Sequence, residues 1–166
     1  MKVLLVLLLS LIVNVCNALE KENEVYNIEW SEVDTLTSSL AESCKSQPNK
    51  WKGILIISRG GLVSGGILAQ KLNIKNIKVI CLTSYNDDNK KGDFKVISMP
   101  SDIAENGKDW IVVDDLADSG NTLKYIKGLY PEAFYVTLLT KPQGKGLSVY
   151  AKEFPQDTWI VFPWER

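Results

Sequence analysis

Histidine is missing from the 166 residues. That removes imidazole metal sites and every catalytic triad or dyad with histidine as its base, so proton transfer falls to carboxylate, lysine, tyrosine or water. Cysteine is scarce: Cys16, Cys44 and Cys81 have no metal-ligand spacing and make a poor disulfide framework. Cys44 and Cys81 read as buried thiols, which fits a reducing compartment. Neither sign of charge is in excess. With 19 basic against 20 acidic residues, a formal net charge of −1 and no basic block, a nucleic-acid partner is not expected. Internal repeats and low-complexity tracts are missing as well. What is there, 45% hydrophobic and 23% charged residues, suits a chain that buries one core. One domain over residues 19–166 is the expectation.

Residues 1–18 stand apart. Lys2, an apolar run from Val3 to Val13 and the Cys16-Asn17-Ala18 stretch read as a secretory signal. The run is short for a transmembrane helix, and Asn14 and Asn17 interrupt it. A lipoprotein reading at Cys16 is weakened by the bulky Val15 before it.

The chemistry is concentrated in Trp110-Ile111-Val112-Val113-Asp114-Asp115-Leu116-Ala117-Asp118-Ser119-Gly120-Asn121-Thr122. Trp110 to Val113 is a short apolar run of the kind a strand buried on both faces requires, and the carboxylates are expected at its carboxyl edge. Asp118 to Thr122 offers successive backbone N–H groups, hydroxyls and a glycine free to take positive φ before a helix, which together make a phosphate nest. The acidic pair would repel that phosphate, so its partners are hydroxyl groups and a hard cation such as Mg²⁺. Phosphate, diol and magnesium together describe a phosphorylated ribose. The plain alternative is a strand, turn and helix whose aspartates only cap the helix.

Further strand and helix patterns follow along the chain. Ser31 has N-cap character, and Val33, Leu36 and Leu40 predict a helix ending near Ser46, before Pro48. Residues 51–57 predict a second buried strand, which runs into Ser58-Arg59-Gly60-Gly61 and then a helix over 62–72. Gly60 and Gly61 let backbone amides approach an anion, and Arg59 adds a charge that does not titrate. Residues 78–83 predict a third strand, and the polar stretch 84–93 is long enough for a moving lid. A helix from Thr122 to Leu129 and a strand over 134–140 follow. Lys141-Pro142 closes that strand and puts a lysine at its carboxyl edge. In the tract from Phe154 to Trp164, Trp159 can stack on a planar base.

The acidic pair followed by a small-residue loop with Gly120-Asn121-Thr122 resembles the phosphoribosyl pyrophosphate motif of the type I phosphoribosyltransferases. The likeness runs from about Tyr26 to Trp164. Within the family, Tyr85-Asn86-Asp87-Asp88-Asn89 and the proline-tryptophan tract are similar to the bacterial xanthine-guanine branch. The resemblance implies an α/β fold with a mainly parallel sheet flanked by helices and a small hood. It also implies Mg²⁺-dependent transfer of 5-phosphoribosyl to N9 of guanine or xanthine, more weakly hypoxanthine, giving GMP or XMP and pyrophosphate in purine salvage. The alternative is a member of the same fold that senses the donor or nucleotides without turnover.

On the same resemblance, Arg59 and Gly60 hold pyrophosphate, with a cis peptide at Ser58–Arg59. Asp114, Asp115, Leu116, Ala117, Asp118, Ser119, Gly120, Asn121 and Thr122 hold the donor, with Asp115 as the metal ligand. Asp114 and Asp118 are the catalytic candidates. Lys95 is assigned to the nucleotide, and Asp118, Lys141, Trp159 and Ile160 to the purine. A homotetramer is the implied assembly. Because the donor is a cytosolic metabolite, the leader conflicts with the rest. Either it is a genuine export signal or membrane tether, or translation begins further on, at Leu19 or Val25. The second is preferred, since the family's chains begin near Tyr26. A cytoplasmic protein is therefore expected, with weak peripheral association with the inner membrane if the leader is kept.

Overall fold

The computed structural model describes residues 24–48, 50–84, 94–103 and 105–166. The leader and most of the expected lid, residues 85–93, lie outside the described residues. In chain order the elements are β1 (Val25–Asn27), α1 (Trp30–Lys45), β2 (Gly53–Ser58), α2 (Gly61–Lys71), β3 (Ile77–Ser84), β4 (Phe94–Ser98), β5 (Trp110–Ala117), α3 (Asn121–Leu129), β6 (Phe134–Thr140), β7 (Val149–Glu153) and β8 (Trp159–Val161).

Six strands form one sheet in the order β4-β3-β2-β5-β6-β7, and only the β3–β4 pair is antiparallel. Helices cover both faces, and the two-residue period of the strands divides the core accordingly. Ile54 and Ile56 of β2, with Ile111 and Val113 of β5, face α1 and α2 and pack with Val33, Leu40 and Leu68. Leu55 and Ile57, with Trp110 and Val112, face the other way against Leu123 and Ile126 of α3. Burial on both sides explains why these strands read as unbroken apolar runs. A separate parallel pair, β1 with β8, joins the two ends of the described chain and forms a small second sheet.

Several boundaries need correcting. Ser31 is not the N-cap of α1: Glu29 takes that place in extended backbone, without a side-chain cap, and Ser31 lies inside the helix. Backbone bonds from Glu32 and Val33 to the Glu29 carbonyl start the helix early, so propensity at Ser31 is overridden. The strand holding the acidic pair does not stop at the charges but continues to Ala117. Leu116 and Ala117 remain in register with Leu139 and Thr140 of β6, because a ladder of main-chain bonds is indifferent to the side chains it carries. Among the described residues, no helix is long and apolar enough to cross a membrane.

Candidate active site

The parallel register carries β2, β5 and β6 to the same carboxyl edge, so the turns that follow them open on one side of the sheet. β2 runs into Arg59 and Gly60, and the peptide bond between Ser58 and Arg59 is cis. Gly60 lies directly on the acidic pair: a Cβ built there would stand 2.5 Å from each carboxylate oxygen of Asp115. Glycine is required here for close approach, since its backbone is helical, with φ −52° and ψ −51°. The turn after β5 needs glycine for a different reason, Gly120 having φ 73°. There the Ser119 hydroxyl accepts from the Asn121 amide at 3.4 Å, and α3 begins at Asn121. The turn between the end of β5 at Ala117 and the helix that starts at Asn121 is thus Asp118 to Gly120. Leu116 and Ala117 belong to the strand, and the Ala117 carbonyl is already taken by the Lys141 amide at 2.9 Å.

The carboxylates are unusual for their surroundings. Asp114 is 7% exposed, and its Oδ1 accepts from the Asp115 amide at 3.1 Å. Burial, followed by the charge of Asp115, pushes its ionisation well above the carboxylate range. Burial also pushes Asp115 up to about 6, and the nearby charge of Glu165 adds to the effect. Two adjacent carboxyls withdrawn from water, beside a turn with no side chain at Gly60, present oxygen donors suited to a hard cation. Among the described residues there is no group of three or more acidic, cysteine or histidine side chains, so ligand or water oxygens would have to complete the shell.

A second cluster lies at the end of β6. Lys141 is 5% exposed, and its Nζ is 3.3 Å from Oδ2 of Asp118. This lysine is not a surface charge: it is buried where it caps the 3-10 turn Pro142–Gly144, and Gly144 of that turn packs against Ala117. After β7 the Phe154 amide bonds the Thr140 carbonyl, which keeps the chain at the same sheet edge. Trp159 is 64% exposed and free to meet a flat ligand, whereas the Ile160 side chain is buried and leaves its backbone to serve β8. Lys95 stands elsewhere. It is exposed on edge strand β4, paired with Thr83, four strands from β6. At the usual strand spacing that is roughly 19 Å from the Lys141 strand, so Lys95 flanks the expected lid and stands away from the Asp118–Lys141 cluster.

Other residues at the site were not legible in the sequence. A cavity of about 580 Å³ is lined by Arg59, Gly60, Trp164 and Glu165, so the C-terminal turn Pro163–Glu165 walls the Arg59–Gly60 turn. The side chain of Glu165 accepts from the Phe162 amide, and Trp164 stacks on Phe162 with ring centroids 4.6 Å apart. The Trp164 tract stood out as aromatic, yet nothing in its spacing tied it to Arg59. Gln156 contacts Asp118, and the Thr158 hydroxyl is a buried polar atom with no partner.

A site of this kind places an α/β domain among those that take a phosphorylated ligand at the carboxyl ends of their strands. Residues 26–165 match the phosphoribosyl transferase domain family, and the chain belongs to that family. Among solved structures, it is similar to a purine phosphoribosyltransferase from Pyrococcus horikoshii, with 29% identity over 86% of this chain and 95% of that one, and a TM-score of 0.69. A Helicobacter pylori xanthine-guanine-hypoxanthine phosphoribosyltransferase shares the fold at 21% identity and TM-score 0.72, over 86% of this chain and 94% of that one. So does a Neisseria gonorrhoeae protein with bound ppGpp, at 21% identity and TM-score 0.73, over 89% and 92%.

Proposed function

We propose that this protein is a purine salvage enzyme that transfers 5-phosphoribosyl from phosphoribosyl pyrophosphate to N9 of guanine or xanthine, and more weakly hypoxanthine. The observation that carries the reading is the packing of Gly60 on Asp115, which sets the arginine turn and the acidic pair side by side at one sheet edge. A sugar carrying phosphate at one end and pyrophosphate at the other needs two anion-binding turns with a cation site between them.

The chain's own residues would divide the work as follows. Arg59 and the Gly60 amide hold pyrophosphate, and Ser119 to Thr122 hold the 5′-phosphate. Asp115 is the residue that would hold Mg²⁺, with Asp114 supporting the ribose hydroxyls, and the bound cation supplies charge to the leaving pyrophosphate. The bond from C1′ to the pyrophosphate oxygen breaks and the bond from N9 to C1′ forms, through an oxocarbenium-like state. Positioning and charge stabilisation do most of this, which is why a chain without histidine suffices. Asp118 takes the proton from N7 of the purine. Lys141, held beside it, donates to the 6-oxo group, Trp159 stacks on the base and the Ile160 carbonyl accepts from its second-position substituent. The nucleotide contact that the resemblance assigns to Lys95 draws no support from its place on β4, away from the Asp118–Lys141 cluster.

A panel of guanine, xanthine, hypoxanthine, adenine and orotate with radiolabelled donor, with and without Mg²⁺, tests the reading. Turnover of guanine and xanthine that depends on Mg²⁺ is expected. Turnover of adenine or orotate alone would overturn it. A second reading, a sensor that binds nucleotides without catalysis, draws support from the ppGpp held by the Neisseria relative. Binding without turnover in the same panel is its signature. The presence of Arg59, Asp115, Asp118 and Lys141 together favours the enzyme.

A further inference from the structure

Gln156 lies in the tract from Phe154 to Trp164 but has no role assigned there, yet it touches Asp118 at the centre of the proposed purine cluster. Its Nε2 donates to Oδ1 of Asp118 at 2.7 Å, while its Oε1 accepts from the Gln143 amide at 3.0 Å. The second bond decides the first. An N–H can meet only the oxygen of a carboxamide, so the NH₂ must face Asp118. Gln143 belongs to the turn that follows Lys141, and Lys141 occupies the other oxygen of Asp118 at 3.3 Å. One side chain therefore ties the lysine's turn to the carboxylate. Without that tie the Asp118 side chain, 53% exposed, would keep, among the described residues, Lys141 as its side-chain partner and solvent on the other side.

We propose that Gln156 is a positioning residue that holds Asp118 for proton transfer while Lys141 is engaged by the base. The proposal rests on the purine phosphoribosyltransferase reading. A 6-oxo purine draws the lysine's donors to its carbonyl and so loosens the ion pair that otherwise fixes Asp118. The Gln156 amide is then the neutral donor that keeps the carboxylate aimed at the imidazole edge of the base. Being neutral, it does so without competing for the base or neutralising the aspartate. Its own orientation is held by main chain at Gln143, so it brings little freedom of its own.

The test replaces Gln156 in the full chain with Met, which keeps the length and loses both bonds, and with Glu. The Glu variant retains an acceptor for Gln143 but sets a second carboxylate against Asp118. Steady-state rates are measured with guanine, varying donor and base separately. Gln156→Met is expected to lower kcat by about 10- to 100-fold with the KM for the donor unchanged, and Gln156→Glu to lower it further. In an Asp118→Asn background the Met change should have little further effect, because the two residues act as one unit. Wild-type kcat in Gln156→Met overturns the proposal. So does a loss that persists undiminished beside Asp118→Asn, or one that falls equally on the donor's KM, as general loosening would produce. Should one variant fail to fold, as judged by its melting temperature, the other still decides. If the unaltered protein turns over no purine, the functional reading fails and this proposal falls with it. If it turns over guanine and Gln156→Met matches it, only this proposal fails.

Discussion

Gly60→Ala isolates the contact on which the site is built. The backbone of Gly60 is right-handed helical, so alanine meets no conformational penalty there, and the whole cost must come from what its methyl group touches. The methyl carbon would lie 2.5 Å from both oxygens of Asp115, nearly an ångström inside ordinary contact at 3.4 Å. The backbone of Asp115 is held by the β6 ladder, which pairs Asp114 and Leu116 on either side of it, and the short carboxylate side chain has little reach to move away. Overpacking of this kind costs about 1–3 kcal/mol. Gly66 is the internal control. It lies in the interior of α2 with nothing within 4 Å of its added Cβ, so Gly66→Ala should stabilise by roughly 0.5–1 kcal/mol. Urea unfolding followed by tryptophan fluorescence measures both. The decisive comparison repeats Gly60→Ala in an Asp115→Ala background, where the obstruction is gone and the penalty should disappear. Gly60→Ala as stable as Gly66→Ala, or a penalty unaltered by Asp115→Ala, would refute the packing argument and with it the juxtaposition of the two turns.

Asp118→Asn should retain donor binding and lose about 10²–10⁴-fold in kcat, measured with guanine at saturating donor; unaltered turnover would remove its role in proton transfer. Lys141→Ala should narrow the kcat/KM ratio of guanine over adenine by about tenfold or more, since a buried donor for a 6-oxo group is lost; an unchanged ratio counts against it. Burial pushes the Cys44 thiol up to about 12, so at pH 8 almost none is thiolate. Iodoacetamide should therefore spare Cys44 in the native protein and label it after unfolding, as read by peptide mass mapping. Rapid native labelling of Cys44 would show that its helix face opens.

The central strands were legible because burial on both faces leaves an unbroken apolar signature, as in Ile54 to Ile57 and Phe134 to Thr140. The nest was legible through Gly120, whose left-handed backbone few other residues adopt. Less visible were β4 and β7, whose half-exposed residues alternate weakly at the sheet edges. The end of β5 was misread because main-chain pairing carried the strand past two charges. The burial of Lys141 had no sequence signal either. Its charge argues for solvent, and only tertiary packing at the end of β6 buries it.

From its residues alone, this chain determined its central strands, its two glycine turns and its acidic pair, because each is marked by neighbours within a few positions. Tertiary structure decided what those pieces face. Gly60 meets Asp115 because β2 and β5 pair in parallel. Gln156 reaches Asp118 because β7 returns the chain to the same edge, and Glu165 borders Arg59 because the C-terminal turn folds back. Contacts between residues 38 to more than 100 positions apart are set by strand order and register, and no local pattern of side chains encodes those.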